Sequence, residues 1–325
     1  MKMKQIVSFL ISAWLATTIN AQSLKNEAKI HRKGIMEYWD GAQADGMKLS
    51  RQRFHKQLPP GNYSGICPIG DGRYALVDDK AADDGFYVIR IDMDSVKGRI
   101  TSIENEGYRS SGLPNRDMEG ICYCPLSQTL FISGEADNEV CEYRLDGQRT
   151  GRRLAMPAEY KNASRNYGLE ALTYDRSRHL FLTTTEQPLP GDTLLRIQTF
   201  GDDLLPRQQY LYRPDNSEHI HGVSALCALS DGTLLVMERQ IRVPRLKIGA
   251  SAVTRIYEVT LPGNPEGVLE KRLVKEIKTR LTLTGRRFAN CEGLCEPRPG
   301  LLLIVADSQN RYRGVLRDWF LLLQR

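Results

Sequence analysis

A short peptide motif returns five times along the chain: SGIC at 64–67, EGIC at 119–122, EALT at 170–173, SALC at 224–227 and EGLC at 292–295. The second residues, Gly65, Gly120, Ala171, Ala225 and Gly293, lie 55, 51, 54 and 68 positions apart. A turn and an apolar run ending in a carboxylate follow each copy. These are GDGRYALVD to Asp78, SQTLFISGE to Glu135, SRHLFLTTTE to Glu186, SDGTLLVME to Glu238 and PGLLLIVAD to Asp307. From the start of the tetrad to the closing acid the spans are 14, 16, 16, 14 and 15 residues. Asp-Gly and Pro-Gly pairs mark the turn in three copies. A third segment then appears in each unit: FYVIRID, EVCEYRLD, TLLRIQTF, TRIYEVTL and GVLRDWFLLL. Most of these alternate apolar with polar residues, as half-buried strands do.

Self-similarity on this scale constrains the fold before any other feature does. Units of about 50 residues, each holding three or four antiparallel strands, are the blades of a propeller. The expected class is therefore all-β, a β-propeller of five blades. A sixth has room in the N-terminal segment or the long fourth unit. A β-sandwich accounts for the strands but not for five copies with matching internal spacing. The fifth unit supplies only three strands, so residues 25–63, which contain GIMEYWD, are expected to give the outer strand that closes the ring.

In a hairpin the start of the first strand lies beside the end of the second. The tetrad's first residue and the closing acid therefore share one end of each blade, pairing Ser64 with Asp78, Glu119 with Glu135, Glu170 with Glu186, Ser224 with Glu238, and Glu292 with Asp307. Inner strands line the channel of a propeller, so these pairs are expected at one mouth. The small residue after each acid avoids a clash where inner strands crowd the axis. Cys67, Cys122, Cys227 and Cys295 read as small buried hydrophobes, and no disulfide is assigned among the seven cysteines.

Carboxylates so close raise one another's pKa unless cations intervene. Ca²⁺ takes 6–8 oxygen ligands, and Asp78, Glu119, Glu135, Glu170, Glu186, Glu238, Glu292 and Asp307 are the candidate ligands. Neutralisation by Arg116, Arg165, Arg239, Arg286, Arg287 or Arg311 is the alternative. Arginine also recognises phosphate and carboxylate through its bidentate fork. Glu119, Glu170, Glu292, Arg239 and Arg116 are accordingly the candidate catalytic residues. His219 and His221 share one side of an extended segment before Ser224. With Asp215 they formally permit a hydrolytic triad, but the chain has no GxSxG elbow.

The first residues have the layout of an export signal: Lys2 and Lys4, an apolar run over 5–19, and Ala21 as the cleavage point. Expected boundaries are 1–21 for the signal, 22–63 for the N-terminal segment and 64–325 for the propeller, with a periplasmic or secreted location. The formal charge of +6 is scattered rather than concentrated in a stripe, which argues against nucleic acid. No other segment approaches 18 apolar residues, so no membrane span is expected after cleavage. A monomer acting on an anionic small molecule fits this balance.

The stretches SGICPIGDGRYALVDDK, RDMEGICYCPLSQTLFISGEAD, NYGLEALTYDRSRHLFLTTTEQPL, GVSALCALSDGTLLVMERQ and NCEGLCEPRPGLLLIVADSQN together resemble the phytase-like family of exported bacterial proteins, described by an esterase-like activity of phytase. The resemblance runs from about residue 61 to 325. It implies a propeller and an exported location, and points to hydrolysis of phosphate or carboxylic esters. The acidic run Asp-Ala-Asp-Asp of calcium-dependent propeller phytases is missing, and Asp78–Asp79 and Asp83–Asp84 come nearest to it. Serine replaces glutamate at the first and fourth tetrads, which thins any metal cage there. Three readings follow: a metal-dependent ester hydrolase, a non-enzymatic ligand-binding propeller of the cell envelope, and a sugar-lactone hydrolase that would draw on Asn166, Asn290 or Asn310.

Overall fold

A computed structural model describes residues 47–94, 97–164, 166–245 and 247–324. The signal segment, GIMEYWD and Arg165 lie outside the described residues. Twenty strands form five four-stranded antiparallel sheets, and each of the five sequence units makes one sheet. Blade 1 runs through Tyr63–Gly70, Arg73–Asp78, Asp83–Asp94 and Arg99–Pro114. Blade 2 is Met118–Cys124, Thr129–Gly134, Glu139–Tyr143 and Arg149–Arg153. Blade 3 is Leu169–Asp175, Leu180–Thr185, Leu195–Gly201 and Pro206–Tyr212. Blade 4 is Ile220–Ala228, Leu234–Arg242, Ser251–Val259 and Lys271–Arg280. Blade 5 takes Asn290–Arg298, Leu301–Asp307 and Phe320–Gln324, and Lys48–Gln52 pairs antiparallel with the last of these. An N-terminal strand thus closes the ring on the outer edge of the last blade, as expected, and the blade count is five.

The sheets are buried on both faces, which explains the near-continuous apolar runs of the second strands. Side chains of one strand alternate between faces, so alternate residues serve different neighbours. Along Leu301–Asp307, Leu302, Ile304 and Ala306 pack against blade 4, while Leu301, Leu303 and Val305 pack against blade 1. One apolar cluster fills each of the five gaps between adjacent blades. Cys67, Cys122, Cys227 and Cys295 belong to four of these clusters and are free thiols whose pKa burial pushes up.

The axis is where packing is tightest. A methyl group on Gly65 would stand 2.3 Å from the carbonyl oxygen of Glu119 in the next blade. One on Gly120 would stand 2.6 Å from the amide nitrogen of Leu172, and one on Gly293 3.0 Å from the carbonyl oxygen of Ser64. The partners are backbone atoms, which cannot turn aside. Next to these small residues, Ile66, Ile121, Leu172, Leu226 and Leu294 are buried along the inner strands and contribute to the lining of the central cavity. Gly65→Ala is therefore expected to cost about 1–3 kcal/mol through overpacking. It should lower the urea midpoint while leaving the m-value unchanged.

Candidate active site at the channel mouth

Every inner strand carries an irregularity at the same place. In blades 1, 3, 4 and 5 the pairing skips one residue, respectively Ser64, Glu170, Ser224 and Glu292. Blade 2 shows the same irregularity across Glu119. A bulge leaves its extra residue unpaired and re-aims its side chain. The repeated tetrad begins on that bulged residue.

The bulge also sets the register of the closing strand. Tyr63 pairs with Asp78, Met118 with Gly134, Leu169 with Thr185, Val223 with Glu238, and Cys291 faces Ala306. The positions one residue further on are thus equivalent: Asp79, Glu135, Glu186, Arg239 and Asp307. Side chains alternate along a strand, so a shift of one residue reverses the face. The structure accordingly corrects the sequence pairing in blades 1 and 4, where Asp79 and Arg239, rather than Asp78 and Glu238, occupy the position that faces the mouth.

The acids do converge. Glu119, Glu170 and Glu292 are 7%, 5% and 8% exposed, and across three blades Glu170 and Glu292 both act electrostatically on Glu119, as Glu292 does on Glu170. Carboxylate oxygens of Asp79, Asp117 and Glu119 lie within 4.8 Å of one another, as do those of Glu135, Glu170 and Glu186. Lys80 Nζ joins the first trio, 3.0 Å from Asp79 and also bonded to Asp117. Arg239 serves the second: Nη2 reaches Glu186 at 3.0 Å and Glu170 at 3.4 Å. Its Nη1 donates to Asn290 Oδ1 at 2.9 Å and to Glu292, while Nε is buried without a partner. Asn290 also donates to Glu292 and Asp307, at 2.6 and 3.4 Å. The carboxylate of Glu119 makes no hydrogen bond or ion pair among the described residues, and Asp79 Oδ1 is fully buried without a partner.

Burial, followed by repulsion from neighbouring carboxylates, pushes Glu119 well above the usual carboxylate range. Glu170 and Glu292 are pushed the same way by burial, with Arg239 opposing the effect. Burial raises Asp79 to about 7, and it also raises Glu135 and Asp307. Arg239 moves the other way. Burial works against its charge, but Glu292, Glu186, Glu170 and Glu119 hold it well above its ordinary value.

The remaining sequence candidates lie elsewhere. Arg116 turns away from the mouth, making a two-pronged contact with Asp137 at 2.6 and 2.7 Å and donating to the Glu139 carbonyl. Asp78 accepts from the amides of Asn62 and Lys80, both at 3.1 Å. Glu238 faces the gap between blades 3 and 4. It accepts from Tyr212 at 2.5 Å and Lys271 at 2.6 Å, and lies 2.7 Å from His221 Nε2. Burial alone would raise Glu238, yet these bonds hold it below its ordinary value. His221 is thus committed to Glu238, Asp215 to Lys271 and Tyr257, and Ser224 to the Met237 carbonyl, so no Ser-His-Asp triad forms. Arg286, Arg287 and Arg311 make no bond to the ring. Asp117 was missed by sequence reasoning. It has φ 56°, its amide donates to Asn115 at 2.5 Å, and only the RDMEG context marks it.

The linkage to stability has a definite sign. Asp79, Glu119, Glu170 and Glu292 keep protons that the unfolded chain releases near pH 4, so the folded state binds more protons as pH rises above that point. Metal-free protein should lose stability from about pH 4 through pH 7 and beyond, as read from Tm in chelator. Arg239→Gln should cost about 3–5 kcal/mol at pH 8, because it strands buried charge, and distinctly less at pH 5.

Residues 59–308 match the family model described as Phytase-like, esterase-like activity of phytase. No match was found among curated proteins. Among solved structures, a streptogramin B lyase aligns at 12% identity and TM-score 0.41, covering 86% of this chain and 98% of that one. A chain of a nidogen/laminin complex aligns at 12% identity and TM-score 0.43, covering 86% and 95%. A luciferin-regenerating enzyme aligns at 11% identity and TM-score 0.44, covering 86% and 96%. At these identities and scores nothing about activity passes to this chain.

Proposed function

The chain belongs to the phytase-like family, and from that premise we propose that it is an exported hydrolase that uses a divalent cation, Ca²⁺ by ligand type, to cleave phosphate or other esters at the acidic mouth. One observation carries the reading. Asp79, Asp117 and Glu119 bring carboxylate oxygens within 4.8 Å of one another, and Asp79 Oδ1 is buried there with no partner. A buried carboxylate oxygen without a partner is costly, and oxygen-only donors suit a hard cation.

Asp79, Asp117 and Glu119 would hold the ion, and Glu135, Glu170 and Glu186 form a second acidic set beside it. A bound cation supplies charge neutralisation at a phosphoryl or acyl oxygen. The chain's own groups supply the rest. Arg239 keeps Glu170, Glu186 and Glu292 in place and presents positive charge toward an anionic substrate. Glu292, raised by burial, can hold a proton for a leaving-group oxygen near neutral pH.

The non-enzymatic reading has one observation in its favour: Arg239 already pairs with acids from blades 3 and 5, as a purely structural rim would. Two measurements separate the readings. Ca²⁺ at about a hundred times its dissociation constant should stabilise the hydrolase by about 2.7 kcal/mol. That corresponds to a Tm rise of roughly 5–10 °C, larger at pH 7.5 than at pH 5. Glu119→Gln should match or exceed the wild-type Tm in chelator, because it removes like-charge repulsion, yet lose the response to Ca²⁺. Turnover of p-nitrophenyl phosphate or acetate should fall about a hundredfold in that variant, or when excess chelator is added. Full turnover in chelator would sink the cation dependence, and no turnover with any ester would favour the binding protein.

A further inference from the structure

We propose that Arg53, Arg286 and Arg317 form a phosphate-binding site on the mouth side of blade 5, separate from the acidic ring. The topology brings them together from distant parts of the sequence. Arg53 follows the closing strand Lys48–Gln52, Arg286 precedes Asn290–Arg298, and Arg317 precedes Phe320–Gln324. Antiparallel pairing puts the end of the first of these strands and the starts of the other two at the same end of the blade as Asp307.

The guanidinium groups of Arg286 and Arg317 converge without an ion pair of their own, and Arg53 is near enough to repel both. Arg286 Nη1 and Arg317 Nη1 donate to the same acceptor, the carbonyl oxygen of Gly314, at 2.7 and 3.2 Å. None of the three arginines makes an ion pair with a described residue. Asp318, next to Arg317 in sequence, is buried and already engaged by Ser308 and by Arg311 Nε at 2.5 Å. Burial and the charges of Arg53, Arg286 and Arg311 pull Arg317 down to about 10, with Asp318 opposing them. Burial, then Arg53, Arg311, Lys56 and Arg317, lowers His55 beside them.

A folded surface ordinarily spreads like charges or pairs them. Here two guanidinium forks meet on one oxygen, the arrangement that a phosphate dianion with several acceptor oxygens would satisfy. A neutral carbonyl accepts their hydrogen bonds but leaves their charge uncompensated. Binding of phosphate here is independent of catalysis. That this site holds a phosphate of the substrate while the ester is cleaved at the acidic ring rests on the hydrolase reading above.

The test is calorimetric titration of the full chain with inorganic phosphate in excess chelator, so that no cation at the acidic ring contributes. Wild type should bind saturably, with a dissociation constant on the order of 1 mM or tighter. The double variant Arg286→Gln/Arg317→Gln should bind at least about tenfold more weakly. In phosphate-free buffer its Tm should equal or exceed that of wild type, since a repulsive cluster has been thinned. Arg317→Lys should retain part of the affinity, because it keeps the charge but not the fork. Glu119→Gln should bind phosphate as wild type does. Unchanged affinity in the double variant would overturn the site, as would saturable binding abolished by Glu119→Gln. A phosphate-free Tm well below wild type would also overturn it, by showing that the arginines serve only to brace Gly314. Absence of ester turnover in the wild type with Ca²⁺ present, with phosphate binding intact, would fail the hydrolase reading and leave this site standing.

Discussion

Everything at the mouth depends on how closely the inner strands approach one another around the axis. Where Gly65, Gly120 and Gly293 stand, backbone meets backbone of the next blade at distances that admit no side chain. A strand pressed against its neighbour cannot point a large residue sideways. The residue just before each of these small positions is bulged out of the ladder instead. Close packing and the bulge are two halves of one device. The first brings five strands together, and the second frees one side chain per blade to face the opening.

That device concentrates charge where water is scarce. Asp79, Glu119, Glu135, Glu170, Glu186, Glu292 and Asp307 meet only Arg239 and Lys80 as cations among the groups bonded to them. Arg239 is therefore more than a surface ion pair. It touches acids of blades 3 and 5 from a strand of blade 4, and its loss would leave desolvated carboxylates facing one another. Glu119 sits beyond its direct hydrogen bonds, and the surplus of negative charge is least compensated there.

The fold was legible because repeats announce themselves. Five tetrads with matched companion strands leave little other than a propeller, and both the blade count and the closing strand follow from them. The site was legible only to within one residue. Span lengths from tetrad to closing acid vary by two, and sequence spacing does not reveal which residue bulges. Asp78 and Glu238 ended their apolar runs as well as Glu135 did, and only the pairing of Tyr63 with Asp78 and of Val223 with Glu238 shows that the next residue faces the mouth. Arg116 misled for a related reason. It lies three residues before Glu119, but Asp117 between them adopts a left-handed conformation, and the Arg116 guanidinium goes to Asp137 instead. Asp117 carried no repeat signal, since the equivalent positions in the other blades, Asn62, Gly168, Gly222 and Asn290, hold no acid, although Asn290 also bonds within the ring.

A fivefold scaffold need not carry a fivefold site. The bulged and closing residues at the mouth lie outside the apolar clusters that fill the gaps between blades, so their identity can differ from blade to blade. The chain uses that freedom. Serine stands at two bulges, Ser64 and Ser224, where its hydroxyl bonds to a backbone carbonyl instead of adding charge. Arginine stands at one closing position, Arg239, where the other blades carry acids. The result is a polarised opening. Unpaired negative charge gathers toward blades 1 and 2 around Glu119, compensated charge lies toward blades 4 and 5 around Arg239, and an uncompensated cationic cluster lies beyond it on blade 5. A neutral ligand would gain little from such a gradient. An anion accompanied by a divalent cation has complementary places for both charges, and the asymmetry of the mouth, more than the number of its acids, favours that pair.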